Sequence, residues 1–227
     1  MRRLVTLVLA ALALAAPAVE VSAEEINFAT LTAERPNVVE ARTGLDHAFV
    51  LELGYRRVVE WRGRQLLFGG DWAFPWASPD FGDFRVRATA SASLLRGSGS
   101  GWKLVASLSP TLRATQNAAA DMHALGADVR LTGGYYRRWW CAGEVGLDWA
   151  ATTHVSHSGA YRETVYADAR DGWYTSPGGT FYAGGNAGVS IKSVDVMLRV
   201  GHPRSLDLAQ QTVPFFVLVG VNVALPR

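Results

Sequence analysis

The stretch Phe84-Arg85-Val86-Arg87-Ala88-Thr89-Ala90-Ser91-Ala92-Ser93-Leu94 decides the fold. Its even positions are all apolar, and its odd positions carry Arg85, Arg87, Thr89, Ser91 and Ser93. Strict period two belongs to a β-strand with one face in an apolar phase and the other in a polar one. Arg96-Gly97-Ser98-Gly99-Ser100-Gly101 follows as a glycine-rich hairpin link. The alternation then resumes with Trp102, Leu104, Ala106, Leu108 and Leu112 against Lys103, Ser107, Ser109, Thr111 and Arg113.

The same period runs outward in both directions. Downstream, Ala127, Val129 and Leu131 oppose Asp128, Arg130 and Thr132; Cys141, Val145, Leu147 and Trp149 oppose Glu144 and Asp148. Ala183, Ala187, Val189 and Ile191 oppose Tyr182, Asn186 and Ser190, and Val194, Val196, Leu198 and Val200 oppose Asp195 and Arg199. The last segment sets Val217, Val219, Val221, Val223 and Leu225 against Gly220, Asn222 and Ala224. Upstream, Phe49, Leu51, Leu53 and Tyr55 oppose Glu52 and Arg56, and Phe68, Trp72 and Phe74 oppose Asp71. Each segment approaches the roughly 9–11 residues of a tilted spanning strand.

Links between these segments alternate in length. Short ones fall at 60–64, 96–101, 136–138 and 192–193; long ones fall at 75–83, 115–124, 152–179 and 202–214. That is the rhythm of a transmembrane barrel with short periplasmic turns and long outer loops. If the short links face the periplasm, a further strand must precede Phe49, and Asn37 to Thr43 supplies it, with Gly44 to His47 as an outer turn. The expected fold is an all-β, closed, antiparallel up-and-down transmembrane barrel of about ten strands, with eight the alternative. Pro110 inside a strand predicts a local bulge. Aromatic residues near the segment ends (Tyr55 and Trp61, Phe74 and Trp76, Trp102, Tyr135, Tyr136, Trp139 and Trp140, Trp149, Trp173, Tyr174 and Phe181, Phe215 and Phe216) suit girdles at two interfaces.

Composition narrows the class. The 227 residues carry net charge +2 with 49% hydrophobic residues, and the apolar content forms no internal run long enough for a spanning helix. The basic residues are scattered arginines, not a stripe, so a nucleic-acid partner is excluded. One cysteine, Cys141, provides neither a disulfide framework nor a thiolate metal site. The N-terminus reads as an export signal: Arg2 and Arg3, the apolar run Leu4 to Ala16, then Val21-Ser22-Ala23, with cleavage expected after Ala23. Residues 24–227 then form one barrel domain in the outer membrane, monomeric, surrounded by outer-membrane lipid, and without a cofactor or metal.

The mature length resembles small bacterial outer-membrane β-barrel proteins. That resemblance implies insertion by the outer-membrane assembly machinery, which usually reads a terminal aromatic residue; this chain ends Leu225-Pro226-Arg227. The runner-up is a soluble periplasmic, lipocalin-like binder, because period two alone does not say which face points inward. The small Ser, Ala and Gly residues of the polar face suit the concave wall of a narrow barrel.

Two sets of residues are candidates for function. The polar faces gather Glu52, Arg56, Asp71, Arg85, Arg87, Arg113, Asp128, Arg130, Glu144, Asp148, Asp195 and Arg199 into an expected interior ionic network. It reads first as an ionic core and second as the lining of a narrow channel. The loop 152–179 holds His154-Val155-Ser156, an imidazole and a hydroxyl on one side of an extended chain. Here the chain is similar to the lipid A deacylase barrels. That resemblance implies Ser156 as nucleophile, His154 as base and Glu163 or Asp168 as the orienting acid of a lipid A or phospholipid deacylase. His157-Ser158-Gly159 stand where that family carries Asn-Ala. The favoured reading of the loop is an ordered surface segment anchored by Trp173 and Tyr174. Gly69-Gly70, Gly133-Gly134 and Gly184-Gly185 lie within strand patterns and make no phosphate loop.

Overall fold

A computed structural model of the chain describes residues 26–27, 29–32, 34–46, 48–76, 82–95, 101–175, 179–206 and 214–226. The expected export signal, 1–23, lies outside the described residues. Ten strands form the wall: β1 (Asn37–Leu45), β2 (Phe49–Trp61), β3 (Arg64–Pro75), β4 (Phe84–Ser93), β5 (Trp102–Gln116), β6 (Ala120–Tyr136), β7 (Trp139–His157), β9 (Gly179–Ile191), β10 (Val194–Ser205) and β11 (Phe216–Leu225). Each pairs antiparallel with its neighbours in the chain, β7 passing directly to β9. The circle closes through β1 and β11, from Asn37↔Leu225 to Leu45↔Val217. Closure leaves the wall without a free edge. It also settles the strand number at ten, because Asn37–Leu45 pairs along its whole length with β2 as well. Outside the wall, the helix α1 (Gly159–Thr164) and the short strand β8 (Gly172–Tyr174) pack at one end, β8 pairing with Thr153–Val155.

The hairpin turns Arg62-Gly63, Arg137-Arg138 and Lys192-Ser193 mark one rim, called here the turn end. Arg62 and Gly63 both have left-handed backbone (φ 51° and 72°), the conformation whose twist matches that of the flanking strands. At the opposite, loop end the observed links differ from those expected. The predicted long loop 115–124 is a turn of Asn117–Ala119, with the Asn117 carboxamide oxygen accepting from the amides of Ala119 and Ala120. Likewise Thr152 to His157 belong to β7 and pair with Ala120 to Leu125. Beyond the barrel rim neither face belongs to the apolar exterior or to the lumen, so alternation lapses while the backbone ladder continues. The β5–β6–β7 sheet thus rises beyond the rim, bending at an irregularity beside Leu125 and Gly126. Pro110 makes no bulge: the β4–β5 ladder is interrupted between Arg87–Thr111 and Ala90–Leu108 without a change of register. A hydroxyl pair, Thr89 Oγ1 and Ser109 Oγ at 2.9 Å, bridges the gap.

Side chains divide by parity. Outward positions between the rims are mostly apolar or small, from Val39 on β1 to Val219 and Val221 on β11. Trp61, Trp102, Tyr135 and Trp139 ring the turn end, and Phe49, Trp76, Trp149, Phe181 and Phe215 ring the loop end. Tyr136, Trp140 and Phe216 do not join those girdles, since adjacent strand residues take opposite faces. They are buried, and Tyr136 stacks on Trp140 at 5.7 Å. Three inward rings lie on glycines: Trp140 on Gly188, Tyr182 on Gly146 and Phe216 on Gly201. A Cβ at Gly146 would sit 2.3 Å from Tyr182 Cζ, so the ring occupies the glycine's side-chain space and lies along the wall.

Candidate functional site

The lumen carries two charged groups of residues. On β1–β4, Arg42 stands directly opposite Glu52, and Asp71 opposite Arg87. Glu52 pairs with Arg42, with Arg87 at 3.0 Å and with Arg85 at 3.2 Å. Glu40 holds Arg42 and, at 2.7 Å, Arg56; Asp71 holds Arg87 at 2.7 Å and approaches Arg56 at 3.9 Å. Asp46, near the loop end, takes the other side of Arg85 at 3.1 Å. Four arginines and four acids interlock, so the group is neutral as a whole. Across the lumen, Glu144 pairs with Arg199 at 2.7 Å and Arg130 at 3.7 Å. The Tyr182 hydroxyl donates to Asp128 at 2.9 Å, and the Arg199 guanidinium lies over the Phe216 ring at 4.7 Å. Arg113 and Asp148 pair nearer the loop end, where both are half-buried.

The twelve residues singled out from sequence all lie on inward rungs. Nine are buried, and Arg85, Arg113 and Asp148 are half-buried. Sequence reading missed Glu40 and Arg42, although they alternate with Val39, Ala41 and Thr43 in the same way. Asp195 stands apart from the arginines, hydrogen-bonded instead to the Thr30 hydroxyl at 3.4 Å. Chemically these groups cross-link the interior, each acid on β1–β4 being shared by at least two guanidinium groups or reinforced by a neighbour.

Thr30 belongs to a segment that sequence reading left unassigned. Ile26 and Leu31 are buried at the turn end in an apolar cluster with Val38, Leu67, Val105, Tyr136, Trp140 and Met197. Asn27 is fully buried; its amide donates to the Arg137 carbonyl at 2.7 Å and to Ser190 Oγ at 2.5 Å. Its own carboxamide oxygen accepts from the Ala29 amide at 2.9 Å, which turns the chain back. The segment then leaves toward β1, the Val58 amide bonding the Pro36 carbonyl at 2.7 Å.

In the loop-end protrusion, His154 and Ser156 share one face of β7. His154 stands opposite His123 and Ser156 opposite Asp121. The Trp173 ring meets His154 edge-on at 5.2 Å. The expected acids do not join them: Glu163 is exposed on α1 and Asp168 is exposed in the following link, and among the described residues neither bonds His154. Asp171 is the acid that meets a histidine, but that histidine is His157. Its carboxylate accepts from the His157 amide at 2.8 Å and pairs with Arg162 at 2.5 Å and His157 Nδ1 at 3.2 Å. The His157 amide first, then Arg162, hold the Asp171 carboxyl down to about 2. Ser158 caps α1 by accepting from the Tyr161 amide and ties it to the hairpin by donating to the Ala118 carbonyl at 2.7 Å. Among the described residues no cluster of three or more His, Cys, Asp or Glu is placed to hold a metal ion.

These features define the class: a closed ten-stranded antiparallel barrel with an apolar exterior, an ion-paired interior and one ordered protrusion. No family model and no curated protein matches the sequence. Among solved structures, the chain is similar to the β domain of the Bordetella autotransporter BrkA, at 12% identity and a TM-score of 0.40, covering 84% of this chain and 99% of that one. At that level the similarity assigns no role to this chain.

Proposed function

We propose that the protein is an integral outer-membrane barrel that displays the β5–β8 protrusion at the cell surface and keeps its lumen closed at rest. The observation that carries this is the outward face. Between the two aromatic girdles it presents Val39, Leu53, Phe68, Val86, Leu108, Val129, Val145, Leu198 and Val219, all exposed. Charged outward residues of the described wall lie at its margins: Arg57 beside Tyr55 and Arg64 opposite Trp61 toward the turn end, and Arg204 opposite Phe181 at the loop end. Water would leave that surface unsatisfied, whereas lipid matches it. A soluble lipocalin-like binder would need the reverse distribution, with charges outside. The barrel acts as a monomer without cofactor, its partners being outer-membrane lipid and the assembly machinery.

The test is gel mobility of the membrane fraction with and without boiling. A closed barrel resists cold detergent and migrates differently after heating; extraction without detergent and identical migration would remove the reading. The lipid-hydrolase alternative is tested beside it: Ser156→Ala is expected to leave lipid ester turnover at the wild-type level, and loss of a measurable deacylation would reinstate it.

A further inference from the structure

The two rims of the barrel differ in charge. Among the described residues, the exposed charges at the turn end are Arg35, Arg57, Arg62, Arg137, Arg138 and Lys192 against Glu34 and Glu60. At the loop end they are Asp121, Glu163, Asp168 and Asp171 against Arg170 and Arg204. The turn-end cations are scattered along the sequence, and only the closed wall brings them to one rim. Each described hairpin there carries at least one: Arg62 and Arg64 on β2–β3, Arg137 and Arg138 on β6–β7, and Lys192 on β9–β10. Among the described residues Arg57, Arg62, Arg64, Arg138 and Lys192 enter no ion pair, in contrast to the interlocked arginines of the lumen.

Where the guanidinium groups lie identifies what they face. That of Arg62 lies over the Trp61 ring at 4.6 Å, and that of Arg137 over the Tyr135 ring at 5.8 Å. Both rings belong to the turn-end girdle, where Trp102 packs edge-on against Tyr135 at 5.6 Å. The same arrangement therefore recurs on two separate hairpins. Girdle rings sit at headgroup depth, so a cation stacked on one sits there too. Arg57 and Arg64 project sideways from the wall itself, on outward rungs beside Tyr55 and opposite Trp61. A guanidinium stacked on a ring keeps its N–H donors at its edge, in the fork that matches a phosphate. Cations turned back over outward rings face the leaflet around the barrel, not the aqueous space beyond its mouth.

We propose that the turn-end rim is a collar for anionic phospholipid, its arginines taking the headgroup phosphodiesters of the surrounding leaflet. The proposal rests on the membrane reading above and deepens it by naming the lipid class. In a zwitterionic lipid the phosphodiester charge is offset by the adjacent ammonium. Preference therefore falls on headgroups without one, and phosphatidylglycerol is the probe. At the loop end acids outnumber cations, so that rim contributes no such preference.

The experiment is electron paramagnetic resonance of the full barrel in phosphatidylcholine vesicles carrying a trace of spin-labelled phosphatidylglycerol or spin-labelled phosphatidylcholine. The motionally restricted fraction of each label gives its relative association constant. Wild type is expected to prefer phosphatidylglycerol by about threefold, averaged over both rims. The preference should vanish in Arg62→Gln/Arg64→Gln/Arg137→Gln/Arg138→Gln and persist in Arg170→Gln/Arg204→Gln. In the wild type itself it should fall as salt is raised, because exposed charges are screened. Excess inorganic phosphate at matched ionic strength should leave it in place. Equal restriction of both labels by the wild type, or a preference indifferent to salt, overturns the collar. A preference that survives the fourfold substitution, or is lost in the loop-end pair, overturns its assignment to this rim, and displacement by inorganic phosphate overturns the lipid as its partner. Loss of heat-modifiable mobility in the wild type would instead overturn the membrane reading, and the collar with it.

Discussion

Glu52→Gln is the substitution whose effect follows most directly from the interior. Glu52 is buried and receives three guanidinium groups, Arg42, Arg85 and Arg87. Each of them has a second acid: Arg42 has Glu40, Arg87 has Asp71, and Arg85 has Asp46. Neutralising Glu52 therefore breaks no arginine's last pairing, but it leaves the group with one surplus positive charge out of water. Removing one partner of a buried pair costs about 3–5 kcal/mol. The remaining acids and the acceptor oxygen of the new amide place this case at the lower limit, about 3 kcal/mol. That is more than a hundredfold in the folding equilibrium constant. Urea unfolding in lipid vesicles, followed by tryptophan emission, reads it. The cause is tested by adding Arg85→Met, which restores neutrality and is expected to recover about 1–2 kcal/mol through coupling within one network. A loss below about 1 kcal/mol, or no recovery in the double variant, would refute the view of these residues as one charge-balanced unit.

Other consequences follow from the wall and the protrusion. Gly146→Ala puts a methyl group where Tyr182 now lies, so the ring must move and its bond to Asp128 is lost; the expected cost is about 2 kcal/mol by urea unfolding. Val219→Arg places a charge on the outward belt of β11 and is expected to cost about 2–4 kcal/mol in vesicles. Asp171, held down to about 2 from 3.8, stabilises its loop above its unfolded value and loses that contribution as pH falls through about 2. Protease resistance of the loop should therefore be unchanged from neutral pH to about 4 and fall below it; release near pH 6 would contradict the Asp171 anchor.

The sequence made the barrel wall readable wherever one side of a strand joins the apolar exterior and the other a polar lumen. There the period of two has a physical cause, and Phe84–Leu94 shows it without interruption. Beyond the rim that cause disappears. Thr152 to His157 look like a loop because Thr, His, Val and Ser follow no alternation, yet their backbone pairs with β6. Tyr136 and Trp140 look like girdle residues by their place near a turn, and only strand parity turns them inward. The ionic network was legible as a list because arginines and acids share the inward rungs. Which acid meets which arginine was not, since Arg85 reaches Asp46 across strands that do not adjoin it in register. Ile26, Asn27 and Leu31 show no periodicity; their burial depends on a mouth that exists only once the circle is closed. The pairing of Asp171 with His157, instead of Glu163 or Asp168 with His154, depends on the turn made by α1.

The central claim is that the apolar face points to lipid and the charged face to the lumen. Spin labels placed one at a time at 217–223 on β11, with Cys141 replaced by Ser, test it through collision with dissolved oxygen and with a water-soluble nickel complex. The account predicts high oxygen collision at 217, 219, 221 and 223 and low collision with either reagent at 218, 220 and 222. The opposite alternation, or free access of the nickel complex to 219 and 221, would contradict it.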